Sequence, residues 1–477
     1  MPGQVRSTEH RSAHVLVVGA GPAGCTAALR MAALGHRVTL IERGGPGRPA
    51  AVESAPASLR PLLASLGLQQ AVDAAGCCRS SGAWVQWAGS PQRAGEVQSG
   101  GLIDRQRFDA LLREAACAAG VRLLGAHARA ARRAPEGGFE LPLHDGRLLR
   151  ADGIVWATGR SGDAAPGERC GAALVGRWSG DGQPLGHDSR VQAGPEGWAW
   201  AAPQPDGGCT AALFVDAQRL GGLDAAARER LYRDSLAGYG LIASMLRGHL
   251  ARPLRVADTT PRRAAGTVEP RCVRAGEAAF SLDPLSSQGV AAAMRSGVQA
   301  AACLHTMLGR PADTALAQAF LQEQVEREWQ RHRRWRAGYD AEAARHFGTP
   351  FWAQRAKDAA SRELPAPSVS PADPLPALDL PIRLDGRSRF QPAPMLEGDW
   401  IVAAPALQHP GLPGPVGYVQ GQPVADLLAA LAPGSSVARV LQAWAARLGA
   451  QGAAGLLQSW WRLGVVVADT APPLQPR

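Results

Sequence analysis

His14-Val-Leu-Val-Val-Gly19-Ala-Gly21-Pro22-Ala23-Gly24 reads as a buried strand that runs into a glycine-rich turn and then a helix. An apolar run without alternation suits the interior of a parallel sheet, covered on both faces. In the G-x-G-x-x-G that follows, Gly19 permits a tight turn, Gly21 lets the backbone approach a pyrophosphate, and Gly24 lets helix and strand pack closely. Pro22 and Ala23 open the helix, whose free N–H groups and positive dipole end point at the phosphates. After a helix expected over Pro22–Leu34, a second strand is expected over Arg37–Ile41. Glu42, followed by Arg43, then stands where an acid accepts from a ribose hydroxyl. Strand, turn, helix and acid together predict a dinucleotide site.

Working outward, helical spacing of Phe108, Leu111, Leu112 and Ala115 predicts a helix over Arg107–Ala119. Val121–Ala126, Phe139–Leu143 and Gly153–Ala157 read as strands. From 161 to 265 the chain is rich in Gly and Trp and reads as a second sheet that interrupts the first. Arg274–Phe280 is strand-like, and helices are expected over Gly289–Leu308 and Asp313–Arg336. Residues 363–398 carry many prolines and are expected to be extended or irregular. Beyond them, helices are expected near 419–431, 437–447 and 452–463. The fold class is therefore α/β. A Rossmann-like cofactor domain (1–160, resumed over 266–340 with a helical arm) is interrupted by a β-rich substrate domain (161–265). A mostly helical C-terminal region (341–477) follows.

The formal charge is +10, carried almost wholly by arginine, and Lys357 is the only lysine in the chain. No aromatic-basic interleaving points to nucleic acid. No apolar run reaches the roughly 18 residues that a membrane span needs. The first residues hold no secretory signal, so a cytoplasmic protein is expected. The eight cysteines include no C-x-x-C pair, and no metal site is expected.

Three further segments carry a resemblance. Asp104-Arg105-Gln-Arg107-Phe108 and Asp152–Arg160 look like parts of the large family of FAD oxidoreductases that includes aromatic hydroxylases and flavin-dependent halogenases. Gly276-Glu277-Ala-Ala-Phe-Ser-Leu-Asp283-Pro284-Leu285-Ser286-Ser287-Gln288-Gly289 resembles the second FAD motif of that family. The resemblance implies FAD as cofactor, with Arg105 near the ribityl chain and Gly159 and Gly276 in close turns. It places Glu277 on the ribitol, where aspartate is usual. Pro284, Ser287, Gln288 and Gly289 would then face the isoalloxazine.

D-P-L-S-S-Q-G looks like one subgroup in particular: tryptophan halogenases and the flavoprotein maturases (tryptophan hydroxylases) of quinone-cofactor amine dehydrogenases and oxidases. Val52-Glu53-Ser54-Ala-Pro56 resembles a G-E-S-x-P turn of that subgroup, with Val52 for glycine. Arg345-His-Phe347 and Pro350–Arg355 resemble its segment after the helical arm. Trp198-Ala-Trp200-Ala-Ala-Pro203 resembles the halogenase W-x-W-x-I-P signature. A halogenase also needs a lysine between the G-E-S-x-P turn and mid-chain, and none is there.

The resemblance thus implies a monooxygenase that hydroxylates an aromatic substrate, tryptophan or a tryptophan-bearing polypeptide, through a flavin C4a-hydroperoxide. Its co-reactants are O₂ and NAD(P)H or reduced flavin, the latter from a possible flavin reductase. Trp198, Trp200 and Pro203 are the expected substrate wall, with Trp84 and Trp87 as wall or core. Glu53 is the best-placed candidate base, ahead of His187 and Asp206, with Pro284 and Ser287 beside the reacting ring. Halogenation and an isoprenoid-reductase type of flavin saturase are the alternatives. Arg331, Arg333, Arg334 and Arg336 are either a docking face or a solvated helix face.

Overall fold

β1 (His14–Val18) lies at the centre of a six-stranded sheet, and every hydrophobic residue of it is buried. This computed structural model describes residues 12–44, 52–95, 100–161, 170–183, 185–251, 253–360 and 376–469. The chain divides into two compact units, Met1–Glu363 and Leu364–Arg477.

In the first unit β1 pairs in parallel with β2 (Arg37–Glu42) on one side and with Gly153–Trp156 on the other. Arg122–Gly125 extends the sheet beyond β2, and Cys272–Arg274 extends it beyond Gly153–Trp156, all parallel. A short antiparallel strand, Val268–Glu269, closes that edge. Helix α1 (Pro22–Ala33) packs against the helix Gly289–Gly309, and both contact this sheet. The cofactor sheet is therefore assembled from both sides of the insertion, as expected.

The insertion forms a seven-stranded sheet in the order Arg255–Asp258, Gly171–Trp178, Cys209–Asp216, Gly197–Pro203, Ser189–Gly194, Ala83–Gln86, Gln92–Ala94. Its last two strands come from the N-terminal segment, so this sheet is not confined to 161–265. Short strands of three or four residues with mixed polarity give little periodic signal, which hid them. One face buries Ala199, Ala201, Cys209 and Leu213 under helix Ala225–Ala237, through Tyr232 and Leu236. The other face turns Trp198 toward the helical arm.

Two sequence expectations are corrected here. Arg274–Phe280 is a strand only to Arg274; the chain then turns through a 3₁₀ helix at Gly276–Ala278, because Gly276 adopts φ +61. The helix expected near 419–431 is short, Val424–Leu428. Within 363–398, residues 363–375 lie outside the described residues, and the remainder is extended or irregular as expected, with strands at Ile382–Leu384 and Arg389–Glu397.

That remainder belongs to the second unit, where Arg389–Glu397 and Trp400–Gln408 form an antiparallel ribbon with Pro392 opposite Pro405. The Leu407 N–H points outward, donating to Val416 O at 2.9 Å. By the two-residue alternation, Pro392, Pro394 and Pro405 also occupy outward positions, where a missing N–H disturbs no ladder bond. The two helices expected over 437–447 and 452–463 are present within Val437–Arg462, separated by a non-helical Gly449 (φ 72, ψ 162). Trp444 and Trp460 pack edge-to-face in the core of this unit, with ring centroids 5.5 Å apart. Among the described residues no helix is long and apolar enough to cross a membrane.

Candidate functional site

The site is built at the C-terminal ends of the parallel strands, where such sheets hold their ligands. Gly19 takes φ +106 and donates its N–H to Ile41 O at 2.8 Å. A Cβ there would lie 2.3 Å from Ala157 O, and one on Gly24 would lie 1.8 Å from Gly19 O. Beyond Gly21, by contrast, the space is open. Gly21 gives α1 no side-chain cap, Pro22 takes the first helical position, and the first turn holds no acid. An uncapped helix N-terminus facing open space at a glycine fits a pyrophosphate. Glu42 Oε2 accepts from the Ala20 N–H at 2.7 Å, which ties the acid to the loop it serves. Arg43 is exposed.

Replacing Gly24 by alanine should therefore cost about 1–3 kcal/mol through overpacking and weaken FAD binding. Fluorescence titration of FAD alongside thermal melting checks this, and wild-type values for both would refute it.

Gly276 packs against α1, since a Cβ on it would meet Ala23 Cβ at 2.7 Å. Glu277 Oε1 accepts from Arg160 Nε at 2.9 Å. Arg160 also donates to Thr260 O at 3.1 Å. The sequence reading did not single out this partner of the expected ribitol acid; its position directly after Gly159 (φ +66) was the available signal. The segment Asp283–Gly289 forms one turn. Asp283 Oδ1 accepts from the Leu285 N–H at 3.0 Å, the Ser287 N–H reaches Pro284 O at 3.0 Å, and Ser287 sits at φ 52. Gln288 and Gly289 then open the helix Gly289–Gly309, which has neither a side-chain cap nor an acid in its first turn. A Cβ on Gly289 would meet nothing within 4 Å. The turn thus brings Pro284, Ser287, Gln288 and Gly289 to a second free helix N-terminus, a place suited to negative charge on a flavin ring.

Glu53 and Arg105 depart from expectation. Val52–Ala55 is not a turn but a strand paired with Gly101–Asp104, so valine replaces glycine without strain. Arg105 is buried and spends its donors on carboxylates: Glu53 Oε2 at 2.7 Å and both oxygens of Asp109 at 3.1 Å. Glu53 is therefore an ion-pair partner in this structure, and Arg105 is aimed at acids of the protein. The helix carrying Arg105 begins there, two residues earlier than the sequence suggested, because Asp104 caps the N–H groups of Gln106 and Arg107. Asp206 pairs with Arg177, and the His187 carbonyl accepts from Ser81 Oγ at 2.8 Å.

The tryptophans expected to form a substrate wall pack largely on other aromatic rings. Trp198 stacks on Phe214 with centroids 3.6 Å apart. Trp87 meets Tyr339 at 5.4 Å and Trp352 at 5.5 Å, both edge-on. Leu285 of the flavin-facing turn packs against this same cluster, as does Trp200. The Trp200 Nε1–H donates to Ser54 Oγ at 3.0 Å. Pro203 does not share this face. It lies opposite Cys209, whose side chain belongs to the layer under helix Ala225–Ala237.

Behind the turn lies a buried charge network that sequence reasoning missed. Asp283 Oδ2 accepts from Arg355 at 3.1 Å and lies 3.4 Å from Arg336 Nε. Both arginines also hold Asp340, at 3.0 and 3.1 Å. Burial would raise the Asp283 carboxyl, but Arg355 and Arg336 outweigh it and hold it below the usual carboxylate range. The Asp283 N–H donates to His332 Nε2 at 2.8 Å. Burial, only partly opposed by Asp283, pushes the His332 imidazole down to about 4, which keeps it a neutral acceptor. The i,i+4 spacing of Arg336 and Asp340 was the readable signal.

Residues 14–175 match the family model described as lycopene cyclase protein, which covers the first part of the cofactor domain. Tryptophan 2-halogenase of Chondromyces crocatus is 27% identical over 397 residues, 76% of this chain and 74% of that protein. The solved structure of QhpG, a peptidyl tryptophan dihydroxylase essential for tryptophylquinone cofactor biogenesis, superposes with a TM-score of 0.71 at 26% identity. It covers 95% of this chain and 100% of that one. CmlS, a flavin-dependent halogenase, superposes with a TM-score of 0.77 at 18% identity, with 96% of each chain covered. Fold, cofactor cradle and comparisons converge on the architecture of FAD-dependent halogenases and hydroxylases.

Proposed function

We propose that this FAD-dependent oxidoreductase inserts oxygen into the indole ring of a tryptophan carried on a polypeptide, in the maturation of a quinone-cofactor enzyme. The observation that carries the choice of oxygen over halogen is the distribution of lysine. Lys357 is the only lysine, and it lies exposed on the helix Pro350–Ala360. No ammonium group is available beside Trp198 or Trp200 to capture a hypohalous acid, and a guanidinium, always protonated, is a poor substitute. The end-to-end likeness to a peptidyl tryptophan dihydroxylase supports the polypeptide substrate.

Bound FAD, once reduced by NAD(P)H or by a partner reductase, supplies the electrons and activates O₂. One oxygen atom enters the ring and the other leaves as water. The chain's own part is positional. Gly19, Gly21 and Gly24 with Glu42 would hold the adenosine diphosphate end. Gly276 to Gly289 would hold the flavin end, and the face carrying Trp198 and Trp200 would orient the ring and exclude water. Glu53, engaged by Arg105, would tie its strand to the helix Arg105–Ala118 rather than act as a free base.

Halogenation is the second reading, favoured by the Trp198–Pro203 signature and the likeness to a tryptophan 2-halogenase. The two separate by mass spectrometry after incubation with reduced FAD, O₂ and bromide, offering free tryptophan and a tryptophan-bearing amine dehydrogenase subunit. Oxygen gained on the polypeptide alone is the expected result. A bromine isotope doublet on either substrate would overturn it.

A further inference from the structure

The helix Pro350–Ala360 touches two parts of the first unit at once. Trp352 is fully buried and donates its Nε1–H to Gly194 O, in the insertion sheet, at 2.8 Å. One turn later on the same helix, Arg355 grips Asp283, the residue that caps the flavin-facing turn. Arg355 also holds Asp340 of the long helix Thr314–Phe347 and lies over the rings of Phe351 and Trp352, 5.2 and 5.7 Å from their centroids. A helical turn is stiff, so the distance from Gly194 to Asp283 is set by one rigid element rather than by loops.

We propose that Arg355 is a positioning residue, which with Trp352 holds the flavin-facing turn in register with the aromatic wall. Arg355 touches neither substrate nor flavin and acts through Asp283. The guanidinium matters beyond its charge, because its fork spans two carboxylates on two elements, whereas an ammonium is a point charge. Arg336 reaches the same pair through Nε alone, 3.0 Å from Asp340 and 3.4 Å from Asp283, from the long helix, which meets the insertion sheet through Tyr339 and Ala343. The proposal rests on the FAD-dependent oxygenation read above. Its signature is a loss of register without a loss of cofactor.

The test compares Arg355→Lys and Trp352→Phe, singly and together, with Arg336→Lys as reference. Five quantities are measured: melting temperature, FAD affinity, iodide quenching of the bound flavin, its visible circular dichroism, and coupling. Coupling is product formed per reduced flavin consumed, the remainder being oxidised as FADH₂ + O₂ → FAD + H₂O₂. R355K and W352F should each keep FAD affinity within about twofold while coupling falls on the order of tenfold, as small displacements from a near-attack geometry do. Bound flavin should become more open to iodide in both. The double variant should be no worse than the more affected single one, because both cut one link. R336K, which loosens only the longer contact to Asp283, should lower coupling and raise quenching less than R355K does.

Wild-type coupling and quenching in R355K would overturn the proposal, as would loss of FAD in parallel with melting, which marks a merely structural network. If the native protein turns over no tryptophan substrate, the reading of function fails, yet the flavin quenching and dichroism still decide the positioning role.

Discussion

Replacing Asp283 by asparagine is expected to be among the most damaging single changes in the first unit, at about 3–5 kcal/mol. That is the cost of leaving buried charge uncompensated when one partner is removed. Asparagine is nearly isosteric, so packing survives while Arg336 and Arg355 keep only Asp340 as counter-charge. The same site makes stability depend on pH. Asp283 has a folded pKa below its ordinary value of about 4, so its contribution is complete at neutral pH and lost as pH falls through the folded value. His332 acts in a higher window. Its folded pKa of about 4 lies below the ordinary 6.5, so the unfolded chain binds the extra proton between those values, and stability declines as pH falls across that range. Melting temperatures between pH 7 and pH 4.5 should drop for the native protein and drop less for His332→Gln. An equal slope in both would remove His332 from the account.

Trp352→Ala should cost a similar amount for a different reason. The side chain is 0% exposed and meets Trp87 at 5.5 Å and Phe351 at 4.8 Å. Truncating a buried tryptophan costs about 3–5 kcal/mol, and the Gly194 carbonyl loses its indole donor as well. Denaturant midpoints measure this directly. A change under about 1 kcal/mol, the scale of an ordinary surface substitution, would mean that the aromatic cluster is loosely packed and that the ring is replaceable.

What was legible in the sequence was what local chemistry dictates. Gly19 and Gly24 announce themselves because no side chain fits where they stand, and Asp283–Gly289 because a cap, a proline and a glycine together specify a turn. Trp198 and Trp200 were identifiable as a pair by strand alternation, and the same alternation sets Pro203 apart, although the motif groups all three. What was hidden depends on partners distant in sequence. Arg105 looks like a ligand for flavin until Glu53 and Asp109 are seen to claim it. Arg336 sits in a run of arginines that reads as a solvated face, yet it turns inward while Arg331 pairs with Glu328 on the surface. The strand Ala83–Gln86 was invisible because its partner in the insertion sheet, Ser189–Gly194, lies about a hundred residues on, and Gln92–Ala94 joins that sheet only through it.

The ribbon Arg389–Glu397 and Trp400–Gln408 has a consequence for assembly. A two-stranded ribbon has two edges, and an unbroken row of N–H and C=O groups on either would template a further strand, from a substrate polypeptide or from another copy. Pro392 and Pro394 delete two successive donors from one edge. On the other, Pro405 deletes one and the Leu407–Val416 bond consumes the next. Long as it is, the ribbon is closed to strand addition. Any chain this unit engages must be held by side chains, and crowding its own copies together does not zip them edge to edge.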